Sequence, residues 1–404
     1  MKNFLNGRKG QPVDLFSEEA RRNPYQAYEK LRHRERVFWD RRRKMLFVHR
    51  YDDVKKVLAE PNLFSSQKNG SENSLIGADG IVHRQTRKII QPAFSRSAMK
   101  EMSEIIADST DVAMGRLLER EEFDAVRDIA MPVSASVYVH LTGHVSASPE
   151  TIFDQVQLLL ETPGTQIRKA IDHPLLRSPD GLGDPTLAKI GRLILELSLS
   201  SAEGHGTLTK LVRDARTRGI LGPRDEDGLG QLLLVAVNET VLSTVGFALY
   251  VLATRPALRE ELRSQPSVTE KFVEEILRWE SPVQRRPRVA REQTSIGGRV
   301  IDPGTNVVAL IGAANRDPSV YSHPELIDLN RDEPDHLAFG IGPHRCIGAH
   351  VAVNLVNSVV TGLLDIGREF ELDPASPPPV LHHPTQWALR GPRHMPLRWI
   401  QGRR

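Results

Sequence analysis

Apolar positions along the chain fall mostly at helical spacing. Residues 25–33, YQAYEKLRH, carry apolar side chains three and four apart, which predicts an amphipathic helix. Two short apolar runs, VFWD (37–40) and MLFVHR (45–50), flank the basic turn RRRK and predict strands. YDDVKKVLAEP predicts a helix with Asp52 as its cap, and the polar, glycine-containing stretch 64–80 predicts a loop. VHRQTRKIIQPAFS starts a further helix that Pro92 ends or bends. Residues 99–220 keep helical spacing, with breaks at TPGT, RSPDGLGDP and EGHG.

A long apolar helix is predicted over 228–254, with Pro256 just beyond it, and VTEKFVEEILRWESP predicts another that stops at Ser281-Pro282. From 283 to 310 the period shortens. RVARE, TSIGGRVI and TNVVALI read as strands, turned at Gly297-Gly298 and Pro303-Gly304. AHVAVNLVNSVVTGLLDI returns to helix, and TQWALRGPRHMPLRWI suggests a terminal hairpin. Helix dominates, sheet is minor, and no regular βαβ alternation argues for a doubly wound sheet. One domain is expected over 1–404, with its β-rich part at roughly 35–50 and 283–310 plus the C-terminal hairpin.

Composition adds limits. With 404 residues, 39% hydrophobic and 26% charged, the chain is of ordinary globular make-up and can bury a core large enough to enclose a cofactor. A formal charge of +3 is too small to imply nucleic-acid binding. The most apolar stretch, near 231–254, is interrupted by Asn238, Glu239 and Thr240 and reads as a buried helix rather than a membrane span. A single cysteine precludes an intramolecular disulfide and fits a reducing compartment, so a cytoplasmic protein is expected.

That cysteine lies in HLAFGIGPHRCIGAH, residues 336–350. Taken alone, a lone cysteine is ordinarily a small buried hydrophobe. Structural zinc normally uses several cysteines or histidines. Gly340-Ile341-Gly342 lacks the third glycine of a dinucleotide loop. The neighbourhood shifts the balance. Glycines let the backbone turn tightly and approach a flat ligand. A helix starting just after Cys346 points free N–H groups at the sulfur and favours thiolate. One thiolate with no second sulfur suits a single axial metal position, which haem iron offers.

Phe339-Gly340-Ile341-Gly342-Pro343-His344-Arg345-Cys346-Ile347-Gly348 resembles the F-G-x-G-x-H-x-C-x-G signature of the cytochrome P450 family at every fixed position. Glu275 and Arg278 look like that family's E-x-x-R pair, with Arg331 as its third member, and their implied role is to brace the cysteine loop. His83 and Arg87 match its H-x-x-x-R, and ANRDP (314–318) is another recurrent segment. The resemblance runs from about residue 20 to the tail. It implies the cytochrome P450 fold, with haem b between the long oxygen-binding helix and the helix after the cysteine loop. Cys346 is then the axial ligand. His83, Arg87, Arg288 and His344 contact propionates, and Phe339 belongs to the haem-binding loop. Glu239 and Thr240 match the acid and alcohol that relay protons to bound dioxygen.

The sequence departs from the pattern on the long helix, where Val237 replaces the usual glycine, Asn238 follows, and Val241 replaces a second threonine. Val237 is expected to narrow the space above the haem and Asn238 to touch substrate. PVQRRPR stacks cations. Arg288 is assigned to a propionate, and Arg285 is expected to point into the pocket and bind a polar substrate group.

The implied function is oxidation of a small, partly polar natural-product intermediate with dioxygen and two electrons, by hydroxylation. The alternative is oxidative coupling or ring closure, including C–N bond formation. A peroxide-driven enzyme and a haem sensor are lesser readings. Electrons are expected from a separate ferredoxin and NAD(P)H-dependent reductase, docking on a basic face that includes Arg84, Lys88 and Arg345. A monomer with neither nucleic acid nor membrane as partner is expected.

Overall fold

The computed structural model describes residues 13–66, 75–143, 206–221, 223–332, 335–383 and 386–400. The expected breaks at TPGT and RSPDGLGDP, and all of EGHG but Gly206, lie outside them. In chain order the helices are α1 (Glu18–Arg22), α2 (Pro24–Arg32), α3 (Tyr51–Ala59), α4 (Gly80–Ile90), α5 (Arg96–Leu117), α6 (Met131–Thr142), α7 (Thr207–Thr217), α8 (Pro223–Thr254), α9 (Pro256–Ser264), α10 (Thr269–Trp279), α11 (Ile311–Ala314) and α12 (Ala349–Asp365). The strands are β1 (Val37–Asp40), β2 (Met45–Val48), β3 (Phe64–Ser65), β4 (Glu122–Asp124), β5 (Arg285–Ala290), β6 (Thr294–Ile296), β7 (Arg299–Ile301), β8 (Asn306–Leu310), β9 (Phe370–Leu372) and β10 (Pro396–Trp399).

Prolines and side-chain caps set several boundaries. Asn23 caps α2 through its side chain, and Pro24 fills the first turn, where no N–H is needed. The long helix α8 begins at Pro223, five residues before the expected start, for the same reason. It stops at Thr254, ahead of Arg255-Pro256. Asp52 does not cap α3. Arg50 is the cap residue, and Asp52 lies inside the first turn, where its charge favours the helix N-terminus.

Three sheets form. The largest has the order β1-β2-β8-β5-β3 and joins the N-terminal strands to β5 and β8, more than 200 residues further along the chain. Within it β2 pairs parallel with β8, Met45 opposite Asn306, while β5 runs antiparallel to β8. The expected terminal hairpin does not form among the described residues. Instead β10 inserts between β4 and β9, antiparallel to both, and Leu389 makes an isolated bridge to Val283.

The main core lies among α5, α6, α8, α10 and α12; smaller cores cover the two faces of the large sheet. The helix α8 runs through the main core. Its stretch Ala236–Thr254 is long and apolar enough to cross a membrane, yet 78% of that apolar window is buried inside the protein. This is the buried helix that the polar interruptions suggested.

Candidate active site

The cysteine loop is shaped by glycine and held by backbone bonds. Gly340 and Gly342 have φ of 68° and 74°, a region other residues avoid. A Cβ on Gly342 would come within 3.0 Å of the Ala59 Cα, so α3 also requires glycine there. The N–H of Cys346 donates to the Phe339 carbonyl at 2.8 Å, closing the loop. The Phe339 ring is half-buried against the main core and lies 5.6 Å from the His336 ring.

A buried charge cluster braces this loop. The Glu275 carboxylate accepts two bonds from Arg278, both 2.7 Å, one from Arg331 at 3.0 Å, and one from the Asp328 N–H at 3.0 Å. Arg278 donates further to the carbonyls of Asn315, Pro324 and Leu326. The Asn315 Oδ1 then accepts the Leu337 N–H at 2.7 Å, at the entrance of the loop. Glu275 and Arg278 are 5% and 2% exposed, far from the solvated surface pair their spacing alone would suggest. Asn315 was not singled out by the sequence, although ANRDP was.

The thiol of Cys346 carries accessible surface, yet burial pushes its pKa up. The Gly348 N–H and the guanidiniums of Arg87, Arg286 and Arg345 pull it down, less strongly. The expected lowering by the start of α12 therefore operates but is outweighed.

Cations gather around the thiol. His83 and Arg87 lie one turn apart on α4. His83 is 2% exposed and its ring stacks 4.1 Å from that of His344. Burial, His344 and Arg87 push its pKa down to about 4. Burial likewise lowers Arg87, while Cys346 raises it. Arg288 is lowered to about 10 by burial and by Arg286, and among the described residues its side chain donates only to the Pro287 carbonyl. His344 was expected to face a propionate. Its Nε2 lies 2.9 Å from Asp79 Oδ1 and 3.2 Å from Ser66 Oγ. Burial works to raise the Asp79 carboxyl, but His344, Ser65 and Arg291 hold it well below the usual carboxylate range. Asp79 is a site residue the sequence reading missed.

On α8, Thr240 is partly exposed and its hydroxyl donates to the Ala236 carbonyl at 2.9 Å. Glu239 is buried, with Oε1 3.7 Å from His383 Nε2 on the C-terminal segment. Val237 is half-buried against the main core. Two expectations need correction. Asn238 turns away toward α6, where its Oδ1 accepts the Ser134 hydroxyl at 3.0 Å. Arg285 points away from the thiol, into the N-terminal segment, donating to the Leu15 carbonyl at 2.7 Å and to the Tyr28 hydroxyl at 3.4 Å. The strand alternation of β5 accounts for it, since residues 286 and 288 share the opposite face.

These residues fit a planar, dianionic group bound through one sulfur. Desolvated cations surround a lone thiol, and no group of three or more His, Cys, Asp or Glu side chains that could hold a metal ion occurs among the described residues. A separate surface cleft of about 260 Å³ is lined by Asp124, Arg127, Asp128, Met131 and His394, but Asp124 is occupied by backbone N–H groups and Asp128 by Arg120.

Comparison with known proteins agrees. The family model described as Cytochrome P450 matches residues 230–395. The putative cytochrome P450 YjiB of Bacillus subtilis is 32% identical over 369 residues, covering 90% of this chain and 92% of the relative. Pulcherriminic acid synthase of the same species is 26% identical over 388 residues, covering 90% and 93%. The crystal structure of the versatile cytochrome P450 enzyme CYP109B1 from Bacillus subtilis superposes with a TM-score of 0.75 at 29% identity, covering 94% of this chain and all of that one.

Proposed function

The chain belongs to the cytochrome P450 family, monooxygenases that use haem with a cysteine thiolate as axial ligand, and within that family we propose that it hydroxylates a small, partly polar natural-product intermediate. Cys346, the only cysteine, is the ligand. Bound haem supplies the activation of dioxygen. The observation that carries the haem reading is the set of basic groups around the single thiol, Arg87, Arg288 and a largely neutral His83, that have no anionic hydrogen-bond partner of their own among the described residues.

In this reading Arg87 and Arg288 hold the two propionates by charge-assisted hydrogen bonds, with His83 as a third contact. His344 contributes through Asp79, which fixes its ring. Phe339 holds the cysteine loop in place through its carbonyl. Thr240 keeps acceptor capacity on its hydroxyl oxygen while donating to Ala236, so it can hold a proton donor on the side of α8 that is not packed. Glu239 stores or takes up the proton from its buried position. Val237 narrows the chamber.

The coupling or ring-closure alternative loses ground. It rested on Val237, Asn238 and Arg285, and the last two face elsewhere. The similarity to a synthase keeps it in view. The partners proposed are a small-molecule substrate and a separate ferredoxin with its NAD(P)H-dependent reductase, in the cytoplasm. Arg84, Lys88 and Arg345 are all exposed and supply the basic face. Such docking weakens with salt.

The carbon monoxide difference spectrum of reduced, haem-loaded protein tests the core of this proposal. A thiolate-type band is expected in the wild type and lost in Cys346→Ser. A band that survives the substitution refutes it.

A further inference from the structure

A carboxylate buried in an apolar helix is costly unless polar groups face it. Glu239 is 6% exposed on α8, and the C-terminal segment covers its side of the helix. Glu239, Ser243 and Gly246 stand at i, i+4 and i+7 and share one face of α8. The segment lies close along that face. A Cβ on Gly391 would overlap the Ser243 side chain, and a Cβ on Gly246 would overlap the Pro392 ring. Steric fit therefore seats the segment against α8, independently of any charge on Glu239.

At the Glu239 end of this face stands His383, 2% exposed, with Nε2 3.7 Å from Glu239 Oε1. Its Nδ1 accepts the Gln386 N–H at 2.8 Å. A neutral imidazole accepts at one nitrogen and donates at the other, so the ring proton sits on Nε2, the nitrogen facing the carboxylate. Arg393 also reaches Nε2. Both groups are donors there, so the guanidinium acts on the ring through its charge. Burial, Arg393 and His382 push the His383 pKa down to about 3. The ring stays neutral near pH 7 and does not itself carry the proton. A gap of 3.7 Å is longer than a hydrogen bond, and contacts of this kind tighten when a site is loaded.

We infer that His383 is a positioning residue for Glu239: its Nε2–H steadies the carboxylate beside Thr240, and with it the supply of protons to the substrate chamber. The inference rests on the role given to Glu239 in the proposed function.

Haem-loaded wild type, Glu239→Gln, His383→Phe and His383→Gln are compared in two measurements. NADPH consumption is followed in air-saturated light and heavy water, with a plant-type ferredoxin and its NADPH-dependent reductase in excess. Glu239→Gln and His383→Phe are expected to slow it about tenfold or more, with a larger solvent isotope effect. His383→Gln, whose amide N–H replaces that of the ring, keeps most of the rate. Haem content and the carbon monoxide band stay unchanged. In carbon monoxide-bound protein labelled with nitrogen-15 histidine, the resonance that His383→Phe removes should report a proton on Nε2 and shift in Glu239→Gln. A resonance that Glu239→Gln leaves in place overturns the inference. So does His383→Phe consuming NADPH at the wild-type rate while Glu239→Gln is slow. Equal slowing in both histidine variants with an unchanged isotope effect also overturns it, assigning the ring to packing alone. A wild-type rate in Glu239→Gln overturns instead the role given to Glu239, and a wild type without the thiolate band overturns the haem reading.

Discussion

Replacing Glu275 with alanine removes the anion on which two guanidiniums converge. Arg278 loses two bonds of 2.7 Å and Arg331 one of 3.0 Å, and the Asp328 N–H loses its acceptor. Arg278 keeps three carbonyls, so its N–H groups stay partly satisfied, but its charge at 2% exposure has no counter-charge left. Breaking a buried pair in this way costs about 3–5 kcal/mol, against a total stability of roughly 5–15 kcal/mol for a folded protein. The exposed pair Glu18–Arg22, with side chains 62% and 68% accessible, is the internal control; removing Glu18 should cost about 1 kcal/mol or less. Urea unfolding followed by far-ultraviolet circular dichroism measures both variants, and haem uptake reports on the cysteine loop. Because Asn315 links Arg278 to Leu337, Glu275→Ala should lose haem binding at urea concentrations where its helices remain. A Glu275→Ala protein within about 1 kcal/mol of wild type, with normal haem uptake, would falsify the bracing argument.

Asp79→Asn tests the histidine clamp. The folded carboxyl lies below its ordinary value of 3.8, so its stabilisation is fully present above that pH and lost as pH falls through it toward the folded value. The gap between the urea midpoints of wild type and variant should be constant from pH 7 to about pH 5 and begin to narrow as pH falls below 3.8; a gap that does not narrow contradicts the assignment. His383 has the opposite chemistry. Burial and Arg393 push its pKa from 6.5 to about 3, so the unfolded chain binds the proton first and stability falls as pH drops through that window. His383→Gln should flatten the acid side of the stability profile between those values, and an unchanged slope counts against it. Gly342→Ala places a Cβ 3.0 Å from Ala59 at a φ of 74°. It should cost about 1–2 kcal/mol from the left-handed backbone alone, read as a lower melting temperature with reduced haem retention; a neutral result would show that the loop relaxes.

What the sequence made legible was short-range. Glu275 and Arg278 are three apart on one helix, His83 and Arg87 four apart on another, and the cysteine motif is contiguous, so each could be found without knowing the fold. The same kind of reasoning could have set Arg285 on the face of β5 away from Arg288. Once Arg288 was assigned to the cofactor side, the period of two in a strand placed residue 286 beside it. Asn238 was misplaced because adjacent helical residues point about 100° apart, so a position next to Val237 need not share its face. Asp79, Asn315 and His383 stayed hidden for another reason. Their roles come from partners far along the chain, His344, Leu337 and Glu239, and no local period encodes such pairs. The terminal hairpin failed likewise, since the strand expected to fold back found its neighbours in β4 and β9.

The parallel pairing of β2 with β8 bears on how the protein is made. Met45 finds Asn306 only after about 260 further residues have been polymerised, which at ribosomal speeds of roughly 5–20 residues per second leaves a wait of about 15–50 s. Through that interval Leu46, Phe47 and Val48, all fully buried in the finished molecule, emerge with one strand edge unfilled and only β1 to shield the other. Nascent chains stalled before residue 306 should therefore recruit holdase chaperones and aggregate more readily than chains released after it.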